Sequence, residues 1–196
     1  MEYNMNYGGI KKVDMLDGPG LRVTLFVSGC CNRCPGCHNP ETWDPNYGRS
    51  FTEDTLTEIV EELQNNYYAG FTLCGGDPLY PSNRQGVCDI ARTIKACFGD
   101  TRSIWMYTGY TIEDIVAWND SVVNELFDYV DVVLEGPFIE ELKSPEKPWV
   151  GSSNQRMFEV DHCKDGNHFK LVENENMAKS EYLNNGARTN TCSCCS

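Results

Sequence analysis

Apolar positions along the chain follow two alternating rhythms. Leu21–Val27 is a short run rich in β-branched and aromatic residues that stops at Ser28-Gly29, the pattern of a buried strand. Downstream, Leu56, Ile59, Val60 and Leu63 recur at i, i+3, i+4 and i+7 behind Thr52, so an amphipathic helix is predicted over 52–65 with Thr52 as its N-cap. A second apolar strand is predicted at 71–74. Ser82-Asn83-Arg84-Gln85 has the form of a capping box, and Val87, Ile90, Ala91, Ile94 and Cys97 carry a helical stripe as far as Gly99. Strands predicted at 104–107 and 130–134 bracket two helical stretches, a capped one at 111–118 and another at 122–129. Beyond Phe158, one strand-like run at 168–172 stands in an otherwise polar segment, 161–184. The final stretch, 184–196, is small and polar and is expected to be mobile.

Strand and helix alternate throughout the first 134 residues or so, which implies right-handed crossovers and a mainly parallel sheet. Ligands of such α/β sheets gather at the carboxyl ends of the strands. There are too few strand–helix pairs for a closed eight-unit barrel, so an incomplete β/α barrel is expected. No internal repeat or low-complexity tract interrupts the pattern.

A chain of 196 residues can bury one sizeable core. Hydrophobic residues at 40% and charged residues at 23% suit a soluble globular protein. No apolar stretch approaches the roughly 20 residues that cross a bilayer, which argues against a membrane protein. The first dozen residues are polar and hold no apolar signal-peptide core, so a cytoplasmic location is expected. Sixteen basic against twenty-nine acidic residues give a net charge of −13, the wrong sign for neutralising phosphates, and nucleic-acid binding is disfavoured. Eleven cysteines without an export signal point to metal binding or redox chemistry in a reducing compartment.

The cysteines themselves carry the chemistry. Cys30, Cys34 and Cys37 stand as Cys-x-x-x-Cys-x-x-Cys directly after the first strand, and Cys74-Gly75-Gly76-Asp77-Pro78 ends the second. Three thiolates can hold three corners of a four-iron, four-sulfur cluster and leave one iron open to a substrate. On spacing alone a zinc knot is the alternative, with Cys31, His38 or Cys74 as fourth ligand, and iron analysis would separate the two. A glycine pair followed by a carboxylate offers unblocked backbone and a negative charge suited to an ammonium group, although the same residues also make a plain turn. Cys31 reads as a bystander, Cys74 as a small core residue, and His38 either as a site residue or as a loop histidine bonded to backbone. Asp17-Gly18-Pro19-Gly20 could be a tight turn or a partner contact. Asn154, Gln155 and Arg156 could hold a peptide backbone or a carboxylate. Cys192, Cys194 and Cys195 could bind metal, exchange disulfides or form an idle terminus.

Cys30-Cys31-Asn32-Arg33-Cys34-Pro35-Gly36-Cys37 resembles the cluster loop of the radical S-adenosylmethionine enzymes, and Gly75-Gly76-Asp77 resembles their second motif, with aspartate where glutamate is more frequent. Asp17-Gly18-Pro19-Gly20-Leu21-Arg22, Tyr107-Thr108-Gly109-Tyr110-Thr111 and Gly151-Ser152-Ser153-Asn154-Gln155-Arg156 narrow the likeness to activases of glycyl-radical enzymes, specifically those serving anaerobic ribonucleoside-triphosphate reductase. The resemblance spans about residues 7–158. It implies a catalytic domain over 1–158 with the incomplete barrel of the radical enzymes, and a C-terminal extension over 159–196. It further implies that Cys30, Cys34 and Cys37 hold a 4Fe-4S cluster. Gly36 and His38 would line the adenosine end of S-adenosylmethionine, with Asn39 nearby. Gly75, Gly76 and Asp77 would meet its methionine part, and Thr108 with Gly109 its carboxylate or ribose. The implied activity is reductive cleavage of S-adenosylmethionine to a 5′-deoxyadenosyl radical, which installs a glycyl radical on the large subunit of the reductase. The electron would come from a low-potential donor such as flavodoxin, and no acid–base pair is required. A different glycyl-radical activase, another radical enzyme acting on a small molecule, a zinc-binding interaction module and a simple electron carrier are the alternatives.

Overall fold

The computed structural model describes residues 3–163 and 166–172. In chain order its elements are β1 (Asn6–Asp14), β2 (Leu21–Val27), β3 (Arg49–Ser50), α1 (Glu53–Leu63), β4 (Tyr68–Gly75), α2 (Arg84–Phe98), β5 (Ser103–Tyr107), α3 (Ile112–Trp118), α4 (Ser121–Leu126), β6 (Val132–Glu135), β7 (Arg156–Cys163) and β8 (Gly166–Val172). All the strands join one open sheet of order β3-β1-β2-β4-β5-β6-β7-β8. β2, β4, β5 and β6 run parallel at its centre, each separated from the next by helix. At both margins the chain turns back, β1 lying antiparallel to β2 and β7 antiparallel to β6. The fold is therefore mixed α/β, with a parallel centre and no closure. Residues 159–163 and 166–172 belong to the same sheet as the elements before them.

Side chains alternate between the two faces of a strand, and the two faces here differ. Val23, Leu25, Phe71, Leu73, Ile104 and Met106 face one way and merge with Leu56 and Ile59 of α1, Ile90 and Ile94 of α2, Ile115 of α3 and Leu126 of α4 into a single core. Arg22, Thr72 and Trp105 face the other way, where Trp105 joins Val132, Leu134, Val150 and Met157 in a second cluster. Arg22 is fully buried there. Its guanidinium donates to Thr72 Oγ1 at 2.7 Å, Phe71 O at 2.7 Å, Ser103 O at 2.8 Å and Pro19 O at 3.4 Å. Burial pulls its pKa down, to about 10, so it stays charged at neutral pH and its cost is offset by these bonds. Thr72 Oγ1 in turn donates to Asp17 O at 2.9 Å, so the Asp17-Gly18-Pro19-Gly20 turn is strapped to the sheet from beneath.

Local signals explain most helix ends. Thr52 accepts from Thr55 N at the start of α1, and Thr111 forms a capping box with Asp114 at the start of α3. The capping box expected at 82–85 does not form: Asn83 is the N-cap, in helical conformation, and its amide instead donates to Ser28 O and Asp77 O, both at 2.9 Å. The stripe on α2 ends at Ile94, because Cys97 is exposed. β1 and β7 were not marked by the apolar pattern. The strand expected at 168–172 is the greater part of β8. Among the described residues no helix is long and apolar enough to cross a membrane.

Candidate functional site

The parallel strands all end at one edge of the sheet, and the cysteine loop after β2, Gly75-Gly76-Asp77 at the end of β4 and Thr108-Gly109 after β5 lie there. The loop leaving β2 is clamped where it begins: Gly29 N donates to Thr42 O at 2.7 Å and Cys30 N to Trp43 O at 3.2 Å, both acceptors lying in the 3-10 turn Pro40–Trp43. Arg33 and Gly36 adopt left-handed conformations, with φ of 46° and 71°, which turn the loop back on itself. Cys30, Cys34 and Cys37 consequently lie half-exposed along one turn, with Cys37 N bonded to Cys34 O at 3.1 Å.

Each of the three sulfurs faces backbone N–H groups. Asn32 and Arg33 supply them to Cys30, Phe138 to Cys34, and Asn39 to Cys37 at 3.4 Å. Burial, and then the charges of Asp77 and a neighbouring cysteine, push the thiols of Cys30 and Cys34 up, and these N–H groups oppose that. Thiolate ligands on one turn with N–H groups aimed at sulfur are the surroundings an iron–sulfur cluster takes, so the residues present fit such a group. Among the described residues no three His, Cys, Asp or Glu side chains converge on a single metal ion. A four-iron cluster makes no such demand, since each thiolate binds a separate iron.

Beneath the loop lies a buried knot centred on Asp77. Its carboxylate accepts from Leu79 N at 2.9 Å, Thr108 Oγ1 at 2.9 Å, Gly109 N at 3.0 Å and Asn32 Nδ2 at 3.4 Å. Burial pushes the carboxyl up to about 6 even though the Gly109 and Leu79 amides and the Thr108 hydroxyl pull the other way. Asp77 and Thr108 are both buried, whereas Gly75 and Gly76 remain half-exposed. Both glycines are demanded by close approach: Gly75 has φ of 98° and a Cβ there would lie 2.7 Å from Phe26 Cα, while a Cβ on Gly76 would lie 2.6 Å from Gly29 O. A side chain on Gly109 would displace Asn32.

The remaining sequence-marked residues separate clearly. His38 is exposed, its ring 6.1 Å from that of Phe138, and Gly36 lies beside the Glu140 carboxylate. Cys31 is exposed and meets the Tyr110 hydroxyl. Cys74 is buried within the sheet, which pushes its thiol well up. Asn154, Gln155 and Arg156 do engage backbone and carboxylates, but those of this chain: Pro137 O, Gly136 O, and the acids Glu135 and Glu113. Cys192, Cys194 and Cys195 lie outside the described residues. The sequence reading missed Asn32 and the turn 136–139. Gly136-Pro137 directly after a strand was a signal for the latter, whereas nothing local marks Asn32 as reaching a residue 45 positions away.

Residues 16–158 match the family model of the 4Fe-4S single cluster domain, which sets the class of protein: one built around a single such cluster. The anaerobic ribonucleoside-triphosphate reductase-activating protein of Enterobacteria phage T4 is 42% identical over 154 residues, covering 79% of this chain and 94% of its own length. That of Escherichia coli K12 is 41% identical over 154 residues, 77% of this chain and 96% of its own, and that of Vibrio cholerae 37% over 153 residues with the same coverage. The chain belongs to this family, the anaerobic ribonucleoside-triphosphate reductase-activating proteins.

Proposed function

We propose that this chain installs a glycyl radical on anaerobic ribonucleoside-triphosphate reductase, using a 4Fe-4S cluster on Cys30, Cys34 and Cys37 with S-adenosylmethionine bound beside it. The observation that carries the reading is the cysteine turn, three half-exposed sulfurs attended by backbone N–H groups at the carboxyl edge of the parallel strands. When bound, the cluster supplies the electron that cleaves the sulfonium carbon–sulfur bond, giving methionine and a 5′-deoxyadenosyl radical able to take a hydrogen atom from glycine.

The protein's part is to bind, orient and exclude water. The half-exposed backbone at Gly75 and Gly76 is suited to the amino-acid end of S-adenosylmethionine, with Gly36 and His38 toward its adenosine. Asp77 and Thr108 contribute from behind, since the carboxylate is already occupied by four donors and holds the loop that carries the sulfurs. In this reading the open sheet is the incomplete barrel of the radical enzymes, and its unclosed side admits the glycine-bearing loop of the reductase. The electron donor is of low potential, flavodoxin being an example of the class.

The test is anaerobic reconstitution with iron and sulfide, then mixing with the reductase, a reductant and S-adenosylmethionine. A glycine-centred doublet in electron paramagnetic resonance and stoichiometric 5′-deoxyadenosine are expected. Cys34→Ala should lose cluster absorption and 5′-deoxyadenosine together, and cleavage retained in that variant would end the assignment.

A further inference from the structure

The segment 151–156 has no part in the chemistry above, yet three of its polar side chains, Ser152, Asn154 and Gln155, bond to backbone of the segment 136–139. Gln155 Oε1 accepts from Gly151 N at 2.8 Å and Ser152 N at 3.2 Å, while Gln155 Nε2 donates to Gly136 O at 2.9 Å. Asn154 Nδ2 donates to Pro137 O at 2.8 Å, and Ser152 Oγ accepts from Ile139 N at 3.2 Å. Three side-chain grips, from Ser152, Asn154 and Gln155, therefore fix the backbone of the turn 136–139, which follows β6.

That turn lies against the cysteine loop. The Phe138 ring is 6.1 Å from His38, and the Glu140 carboxylate just beyond the turn approaches Gly36 so closely that a Cβ there would stand 2.9 Å from it. Between these two contacts the Phe138 N–H points at the Cys34 sulfur. The Phe138 ring also closes over Gly151, where a Cβ would be 3.0 Å away, so the gripping segment and the gripped turn are packed as one unit. An N–H group at a ligand sulfur stabilises the extra negative charge of a reduced cluster and so raises its potential.

We propose that Asn154 and Gln155 are positioning residues for the cluster: by fixing the turn 136–139 they hold the Phe138 amide on the Cys34 sulfur, raising the reduction potential and slowing the loss of iron. The inference rests on Cys34 being a cluster ligand. Neither residue touches the cluster; both act through the Phe138 backbone.

The experiment compares the wild type with Gln155→Ala, Gln155→Glu and Asn154→Ala after anaerobic reconstitution of the full chain. The readouts are iron per chain, the cluster's midpoint potential from a titration followed by electron paramagnetic resonance, and the rate of iron loss to a chelator. Gln155→Ala should load iron, show a lower potential, and release iron about tenfold faster, the size of effect usual for partners of metal ligands. Gln155→Glu retains the two acceptor bonds and loses the donor to Gly136 O, so its potential should fall between wild type and Gln155→Ala. Asn154→Ala, which loses a single bond, should shift in the same direction and decides the question if Gln155→Ala does not fold. Wild-type potentials in loaded Gln155→Ala or Asn154→Ala would overturn the inference while leaving the cluster intact. Absence of iron from the wild type would overturn the cluster assignment itself, and the inference with it.

Discussion

Asp77 and Thr108, at the ends of neighbouring parallel strands, are joined by a 2.9 Å hydrogen bond in which the hydroxyl donates to a fully buried carboxylate. The same carboxylate reaches Asn32 in the cysteine loop, so the segment that presents the sulfurs is tied to β4 and β5 through one acidic side chain. Asp77→Ala would strand the amides of Leu79 and Gly109 and the Thr108 hydroxyl without a partner. A loss of about 2–4 kcal/mol in anaerobic urea denaturation is expected, with Asp77→Asn, which keeps an acceptor, losing clearly less. Equal stability of Asp77→Ala and wild type would show that the carboxylate is not the tie.

Gly76 and Gly9 offer a controlled pair. A methyl group on Gly76 meets the carbonyl oxygens of Gly29 and Thr42, at 2.6 and 2.8 Å, and can be accommodated only by moving the start of the cysteine loop. At Gly9 the same methyl meets nothing within 4 Å. Gly76→Ala should therefore bind substantially less iron on reconstitution and melt at a lower temperature, and Gly9→Ala should match wild type in both. Normal iron content in Gly76→Ala would remove the close packing from the account.

Arg22 has no carboxylate in its set of hydrogen-bond acceptors and depends on the fork geometry of its guanidinium. Arg22→Lys keeps the charge but cannot reach Thr72, Phe71, Ser103 and Pro19 at once. We expect it to cost about 3 kcal/mol or more, comparable to breaking a buried charged network, and to loosen the turn at Asp17. Urea denaturation measures the first and protease sensitivity near residue 18 the second. A lysine variant as stable as wild type would mean the strap is redundant.

Asp17 predicts a pH dependence. Burial, followed by the hydrogen bond and charge of Asp14, pushes its carboxyl up to about 7. An unfolded aspartate has released its proton above about pH 4, whereas the folded one keeps it until about pH 7, so the folded state binds more protons across that window. Stability contributed by this group therefore falls as pH rises from about 4 to about 7. Asp17→Asn should flatten the fall, narrowing or reversing the difference in melting temperature between variant and wild type as pH rises. Parallel pH profiles for the two proteins would exclude Asp17 as its source.

The sequence revealed what local chemistry dictates. Leu56, Ile59 and Leu63 were legible as the buried stripe of α1, Thr111 as the cap of α3, and the apolar run at β2 as a central strand, because each signal lies within a few residues of its effect. β1 was not legible: Gly8, Gly9, Lys11 and Lys12 are poor strand formers, and the strand exists because β2 offers it a ladder. Ser82-Asn83-Arg84-Gln85 looked like a helix cap, but the Asn83 amide is taken by the carbonyl of Ser28, 55 residues away, and by that of Asp77, six residues away. The cysteine spacing declared the candidate cluster, whereas the inward turn of Asp77 and the grip of Gln155 on Gly136 did not show. Gln155 meets backbone atoms, and Asp77 meets backbone amides together with Asn32 and Thr108 from other parts of the chain, so neither contact leaves a local mark in the sequence.

The margin formed by β1 has a different consequence. β3 shields only Asn6 and Tyr7, and farther along β1 loses register twice, between Tyr7 and Gly9 and between Lys11 and Asp14, with two lysines in the interval. Irregular, cationic borders are poor templates for a stray extended peptide. The molecule is thus guarded against edgewise polymerisation on this flank, and any macromolecule approaching here must recognise it by side chains rather than by adding a strand.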